Sequence, residues 1–338
     1  MVAYEPVMLP RCPSQPSPQT IVADVHHWAT SAPMRDLVDA FGGAFPATSD
    51  DLTATGVLLK WLDDFSAGCW NFRAGAERPA APEPELDGDT RALVLSAAVA
   101  LGLVEATKPL HEQYTHLIVL GGMARACLQR TSYAAALING GFVGRPEVAA
   151  LGSFRPLATE EQALLAAHGA AGGATEMDAM DAGVQRYLGL RSPIDDESVL
   201  DGSNQNLSWR VRTYQRDDTP TVRVLAAPSS DPARRANTGD TQRYWAQRLQ
   251  LTAEDRVLVV TSAIYVPFQH ADAIRTLGVP FGVDVDTVGV EADWSHEPTL
   301  HQPVTPGKYL QEIRSGIRSM RWLVTAAQQA TAPTTAPA

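Results

Sequence analysis

The sequence predicts an α/β fold of the Rossmann-like kind, a mostly parallel sheet with helices on both faces, preceded by an N-terminal helical segment. Two observations carry this. From residue 116 onward short apolar runs, too brief for helices, end in Gly, Ser or Thr, and stretches with helical spacing follow them. Before residue 110 only the helical period is present.

Taken in order, residues 1–20 and 326–338 are rich in Pro, Thr, Ser and Ala with little to bury, and are expected to be loose tails. Residues 21–110 are expected to form helices that pack on the core. Met34 to Phe41 makes a short one, and Leu52 to Phe65 puts Leu58, Leu59, Leu62 and Phe65 on one face behind Asp50 and Asp51. The stretch 74–88 is a Pro-punctuated connection, and Thr90 to Ala106 is a further apolar helix. The α/β domain is expected over 111–325. Its first strand is His116 to Leu120, ended by Gly121-Gly122 and followed by a helix from Cys127 to Asn139. Further strands are expected at Val148 to Leu151, Thr221 to Ala226 and Arg256 to Thr261, with an edge strand near Phe281 to Thr287. Helices lie between them at 160–188, 238–250 and 267–277, and Pro306 to Thr325 closes the domain.

Composition narrows the function classes. In 338 residues, 27 Lys and Arg face 38 Asp and Glu, a net charge of -11, and no basic cluster interleaves with aromatics, so nucleic acid is not an expected partner. Cys12, Cys69 and Cys127 carry no CxxC spacing, which argues against a disulfide framework and a zinc site. No signal peptide and no long apolar span is visible, so a cytoplasmic protein without membrane partner is expected.

In an open α/β sheet, ligands collect at the C-terminal strand ends. The residues expected there are Gly121, Gly122, Arg125 and Cys127, then Ser153 and Arg155, then Arg234, Arg235, Asn237 and Thr238, then Thr261, Ser262 and Tyr265. This arginine-bearing rim suits an anionic or strongly polar small molecule. There is no GxGxxG after the first strand, and no P-loop, GxSxG or HExxH motif, so dinucleotide, phosphoryl-transfer, serine-hydrolase and zincin chemistries lose their usual warrant.

Cys127 is open to two readings. In the first turn of a helix, beside Arg125 and Arg130, its thiolate would be favoured and would attack an activated carbonyl; alternatively it is a small buried hydrophobe. His168, in a Gly/Ala-rich segment able to close over the pocket, and His270 are candidate bases. Glu176, at an expected helix start, orients a histidine or holds a substrate ammonium, or simply stabilises its helix. Arg234, Arg235, Asn237 and Thr238 form either an anion clamp or a capped helix with solvated arginines.

The blocks LIVLGGMARACLQRTSYAAALI, ALGSFRPLATEE with TEMDAM, RRANTGDTQRYWAQRL and VLVVTSAIYVPFQHADAIRTLGV resemble the DUF218 or YdcF-like family, also called ElyC/SanA/YdcF-like, over residues 115–325. The resemblance implies a Rossmann-like domain, with S-adenosylmethionine as an alternative ligand. It carries over Gly121, Gly122, Glu176, Asn237, Thr238, Thr261, Ser262 and Pro267. The chain departs from the family at Gly152-Ser153-Phe154, at Tyr265 and Phe268, and in an insertion over 189–220. Within the family it is similar to the condensing enzymes of lincosamide biosynthesis. That similarity implies acyl transfer from a carrier-protein phosphopantetheine thioester to an aminosugar-like small-molecule amine: Cys127 as nucleophile, His168 as base, Glu176 as orienter and the Gly121-Gly122 amides as oxyanion donors. No cofactor of its own and no metal would be required. The alternatives are an S-adenosylmethionine- or nucleotide-binding protein or transferase, and a non-catalytic accessory protein.

Overall fold

The computed structural model describes residues 3–72, 82–215 and 220–331. The first elements are α1 (Pro18–Ala29), α2 (Ala32–Ala40), α3 (Leu52–Cys69), α4 (Gly88–Ala100), β1 (His116–Leu120), α5 (Ala124–Asn139) and β2 (Glu147–Gly152). Then come α6 (Thr159–Ala167), α7 (Glu176–Tyr187), β3 (Asp195–Val199), β4 (Trp209–Tyr214), β5 (Val222–Ala226) and α8 (Thr238–Leu249). Last are β6 (Arg256–Ser262), α9 (Val266–Ala273), a π-helical turn (Ile274–Gly278), α10 (Val279–Phe281), β7 (Asp284–Val290) and α11 (Pro306–Thr331).

The chain divides into two compact units. The α/β unit, Ala106–Ser262 with Val283–Gln302, holds one seven-stranded sheet in the order β3-β4-β5-β2-β1-β6-β7. Strands β1, β2, β5, β6 and β7 pair in parallel; β4 runs antiparallel to both β3 and β5. This is the expected Rossmann-like class. The chain winds outward from β1 through β2 to β5, then resumes on the other side of β1 with β6 and β7, so the winding reverses between β1 and β6.

Register explains the apolar runs. Leu117 lies beside Val148 and Leu258, and Val119 beside Ala150 and Val260. These residues share a core with Leu128 of α5 and Met177, Met180 and Val184 of α7. The alternate residues face the other way, where α8 sets Trp245 edge-on to His116 with ring centroids 5.5 Å apart. A strand covered on both faces has no polar alternation to show.

The insertion 189–220 contains a hairpin that the apolar pattern did not signal. In β3, DDESV, every residue is exposed, and its register is held by charge: Arg210 donates to Asp196 at 2.7 Å across from β4. The YQRDD run passes outside the described residues after Gln215. The span expected as one helix over 160–188 is two, α6 and α7, parted at Gly169 and Gly172, whose φ values of +84° and +90° suit glycine.

The helical unit comprises Met1–Glu105, Ala263–Gly282 and Pro303–Ala338. Helix α11 packs against α1, α3, α4 and α9, with Ile313, Ile317, Met320 and Leu323 fully buried beside Trp28, Leu58, Leu59 and Leu62. Asp51 caps α3 by accepting from the Thr53 and Ala54 N–H groups, both at 2.9 Å. Helices α9 and α11, expected in the α/β domain, belong to this unit. Both expected tails also need correction. Cys12 is buried, the Val7 N–H donates to the Ala100 carbonyl at 2.8 Å, and His270 Nε2 donates to the Pro10 carbonyl at 2.7 Å. At the other end α11 continues to Thr331, because Ala327 is buried and Gln328 donates to the Leu52 carbonyl at 3.3 Å. The rest of that tail, and the first part of the 74–88 connection, lie outside the described residues.

Replacing Ala327 by Asp places an unpaired charge in this core and is expected to cost at least about 2 kcal/mol. A fall in the melting temperature followed by circular dichroism checks it; an unchanged value would return residues 326–331 to a loose tail.

Candidate functional site

At the C-terminal end of the sheet, two glycines make room for one carboxylate. A Cβ on Gly121 would overlap both Glu176 Oε1 and the Leu151 carbonyl, and one on Gly152 would lie 2.8 Å from Met177 Cα. Backbone hydrogen bonds fix the approach of α7: the Glu176 N–H donates to the Arg155 carbonyl at 2.9 Å and the Met177 N–H to that of Ser153 at 3.0 Å. Glu176 therefore opens α7 directly over the ends of β1 and β2.

Its carboxyl is met from two sides. Ser153 Oγ donates to Glu176 Oε2 at 2.6 Å, and Arg155 Nε lies 3.5 Å from the same oxygen. Burial is the largest influence and lifts the carboxyl above its ordinary 4.5, while Ser153, Arg155, Arg130 and Arg235 pull it back only in part. The group thus has a buried charge compensated incompletely, and 13% of the side chain remains open to solvent.

Arg130, buried on α5, fills the reversal point between β1 and β6. It donates to the Leu120 carbonyl at 2.8 Å, to the Gly121 carbonyl, and through Nε to Ser262 Oγ at 3.1 Å. Thr261 is buried beside Ser262 on β6, and Tyr265 belongs to the helical unit.

The helix N-termini around this rim are already filled by the chain's own carboxylates. Glu161 of α6 accepts from the Ala124 N–H at 2.8 Å at the start of α5, and from Arg155 Nη1 and Nη2, both at 2.8 Å. Arg155 Nη2 also donates to the Gly122 carbonyl at 2.9 Å. Burial alone would raise the Glu161 carboxyl, but these bonds and the Ala158 N–H hold it below the ordinary range. Asp178 likewise accepts from the Ala174 and Thr175 N–H groups before α7. At α8 Asn237 and Asp240 cap each other's backbone, and Arg234 donates to Asp240 at 2.6 Å. Arg234, Asn237 and Thr238, at the start of α8, thus take part in a capped helix, with Arg234 paired to Asp240 and not solvated. Arg125 and Arg235 make no ion pair among the described residues; Arg125 Nε is buried without a hydrogen-bond partner.

Of the two readings of Cys127, its burial supports the small hydrophobe and not the thiolate. Met123 caps α5, so Cys127 is indeed in its first turn, but the side chain faces the core beneath the sheet, fully buried, with Sγ 3.5 Å from the Gly122 carbonyl. Burial, reinforced by the Glu176 charge, pushes the thiol up to about 12. Nor does His168 serve it. The ring ends α6 with Nδ1 2.8 Å from the Leu164 carbonyl and Nε2 3.0 Å from Glu297. His270 lies in the helical unit. Sequence reasoning placed Ser153 on the rim without a role, read Arg130 only as a charge beside Cys127, and missed Glu161. The only signal for Glu161 was its place in the first turn of a helix. Among the described residues no group of His, Cys, Asp and Glu could hold a metal ion, and no helix is long and apolar enough to cross a membrane. A groove of about 300 Å³ between α8 and β3, β4 and β5, lined by Asp195, Glu197, Arg223, Trp245 and Arg248, is separate from these strand-end residues.

A family model described as the Rv3785 N-terminal domain matches residues 12–102. The chain is 31% identical over 340 residues, 92% of each chain, to the uncharacterized protein Rv3785 of Mycobacterium tuberculosis (strain ATCC 25618 / H37Rv). It matches the uncharacterized protein Mb3814 of Mycobacterium bovis (strain ATCC BAA-935 / AF2122/97) to the same extent. No solved structure matches it.

Two outcomes are expected. Alkylation of the native protein should modify the half-buried Cys69 first and reach Cys127 only on unfolding; labelling of Cys127 near neutral pH would contradict its burial. Glu161→Gln should destabilise by about 3 kcal/mol at neutral pH, since it breaks a buried pair. Because the folded carboxyl sits below 4.5, the stability it contributes is present above that value and fades as pH falls through the folded one. Denaturant unfolding of both proteins against pH tests this, and a difference that persists in acid would refute it.

Proposed function

Given that this chain belongs to the Rv3785 family, we propose that its α/β unit is a YdcF-like group-transfer enzyme that joins an activated acyl group to an amine, with Glu176 as the acid–base residue. The observation that carries this is the setting of Glu176, a carboxyl lifted by burial, reachable from solvent, and seated between Ser153 and Arg155. A base is most effective when its pKa approaches the working pH, and burial moves Glu176 in that direction. An acceptor ammonium is the natural ligand of such a carboxylate. It would bind as the cation, lose a proton to Glu176, and attack the carbonyl carbon as the neutral amine. The C–N bond then forms while the C–S bond to the leaving thiol breaks.

Arg125 and Arg235 supply positive charge for an anionic portion of the donor, such as the phosphate of a phosphopantetheine arm on a carrier protein. The burial of Cys127 moves the reading away from a cysteine-bound intermediate, and the self-filled helix termini move it away from a ligand held by helix N-termini.

The test is thiol release from an aminoacyl pantetheine thioester in the presence of glucosamine as acceptor. Wild type and Cys127→Ala are expected to agree within about threefold, while Glu176→Gln loses about 100-fold or more. The rate should rise with pH as Glu176 ionises, in a range above that of a solvated carboxylate. Absence of thiol release, with saturable S-adenosylmethionine binding that survives Glu176→Gln, would replace this reading by that of an S-adenosylmethionine-dependent protein.

A further inference from the structure

We propose that Ser153 is a nucleophile, with Glu176 as its base, so that the transferred acyl group passes through an ester on Ser153 Oγ. This deepens the reading of the site as an acyl-transfer centre and rests on it.

Its place distinguishes this hydroxyl: it lies at the strand ends, against the carboxylate for which Gly121 and Gly152 make room. Ser153 stands immediately beyond β2, where its carbonyl accepts the Met177 N–H and its Oγ accepts the Arg155 N–H at 3.1 Å. With one lone pair held by that N–H and its proton directed to Glu176 Oε2 at 2.6 Å, the remaining lone pair is free to attack. Arg155, whose guanidinium is anchored on Glu161 and Gly122, stands on the same side as the carboxylate.

Other hydroxyl–carboxylate pairs in the chain have similar geometry and a different electrostatic setting. Ser203 donates to Asp201 at 2.6 Å, Ser230 to Asp240 at 2.6 Å and Ser49 to Asp51 at 2.5 Å. The serine and backbone N–H groups hold Asp201 and Asp51 below the ordinary range, and Arg234 and its neighbours do so for Asp240 despite its burial. Those carboxylates are weak bases. At Ser153 burial dominates instead and strengthens the base.

The step balances without a further reagent. Ser153 Oγ bonds to the carbonyl carbon of the thioester, its proton passes to Glu176, and the C–S bond breaks as the thiol leaves with that proton. The acceptor ammonium passes one proton through Glu176 to solvent, and the resulting amine gives a second proton to Glu176 as it bonds to the same carbon. The C–Oγ bond breaks, and Ser153 recovers its proton from Glu176.

The experiment is labelling of the full chain with an alkyl fluorophosphonate, which forms an Oγ–P bond and expels fluoride, followed by peptide mass measurement. Ser203, exposed and paired to a carboxylate, is the internal reference. Ser153 is expected to label at least about 100-fold faster than Ser203, and Glu176→Gln is expected to abolish that advantage. An aminoacyl thioester should compete with the probe. Labelling of Ser153 no faster than Ser203 in the folded wild type overturns the proposal, as does a Ser153→Ala protein with wild-type thiol release, which would leave the Glu176 reading standing. If Ser153→Ala fails to fold, Ser153→Cys, which keeps a nucleophile, decides: alkylation at residue 153 that depends on Glu176 supports the proposal, and its absence refutes it. Rapid labelling of Ser153 without any thiol release keeps the nucleophile and overturns the amine-joining reading alone.

Discussion

Placing a carboxylate out of water at the end of a parallel sheet is the physical problem around which the α/β unit is arranged. Desolvation opposes the charged form, and only nearby donors and cations offset it. The chain answers the problem twice, with opposite results. Glu161 receives both arms of Arg155 and two backbone N–H groups, and remains a strongly held anion. Glu176, a few ångströms from the same guanidinium, receives one hydroxyl and a longer contact from Arg155 Nε, and burial prevails. One arginine thus separates a carboxylate held firmly as the anion from one whose burial is offset only in part. The glycines at 121 and 152 are a consequence, since any side chain there would hold α7 away from the strands.

The fold was legible because its governing pattern is local. Strands covered on both faces must be continuously apolar, and HLIVL and RVLVVTS say so without reference to the rest of the chain. The β3–β4 hairpin was not legible for the complementary reason: β3 buries nothing, and its pairing is written in the Asp196–Arg210 and Glu197–Arg248 ion pairs, which periodicity does not detect. The tails misled for a compositional reason. Pro- and Ala-rich segments look loose, yet Cys12 and Ala327 are small enough to be enclosed.

The strand-end residues were legible in position and not in the direction of their side chains. A glycine pair after the first strand and an acidic residue opening a helix located Gly121, Gly122 and Glu176. What one-dimensional reasoning lacked was direction. A first-turn cysteine is activated only if it points outward, and α5 turns Cys127 into the core while turning Arg130 toward the strand ends. The arginines were likewise counted as free cations, although partners six residues away, Glu161 for Arg155 and Asp240 for Arg234, had already engaged them.

The self-capped helix termini bear on how the unit meets a ligand. In many open α/β sheets the amide groups at those termini wait for a phosphate, so part of the binding free energy comes from completing the protein's own hydrogen bonding. Here the start of α5 is completed by Glu161, that of α7 by Asp178 and that of α8 by Asn237 with Asp240. A ligand reaching these strand ends would find their amides already paired, so little backbone ordering would be left for association to cost. Affinity is left to the few groups not already engaged, and recognition can change by altering them without disturbing the scaffold beneath.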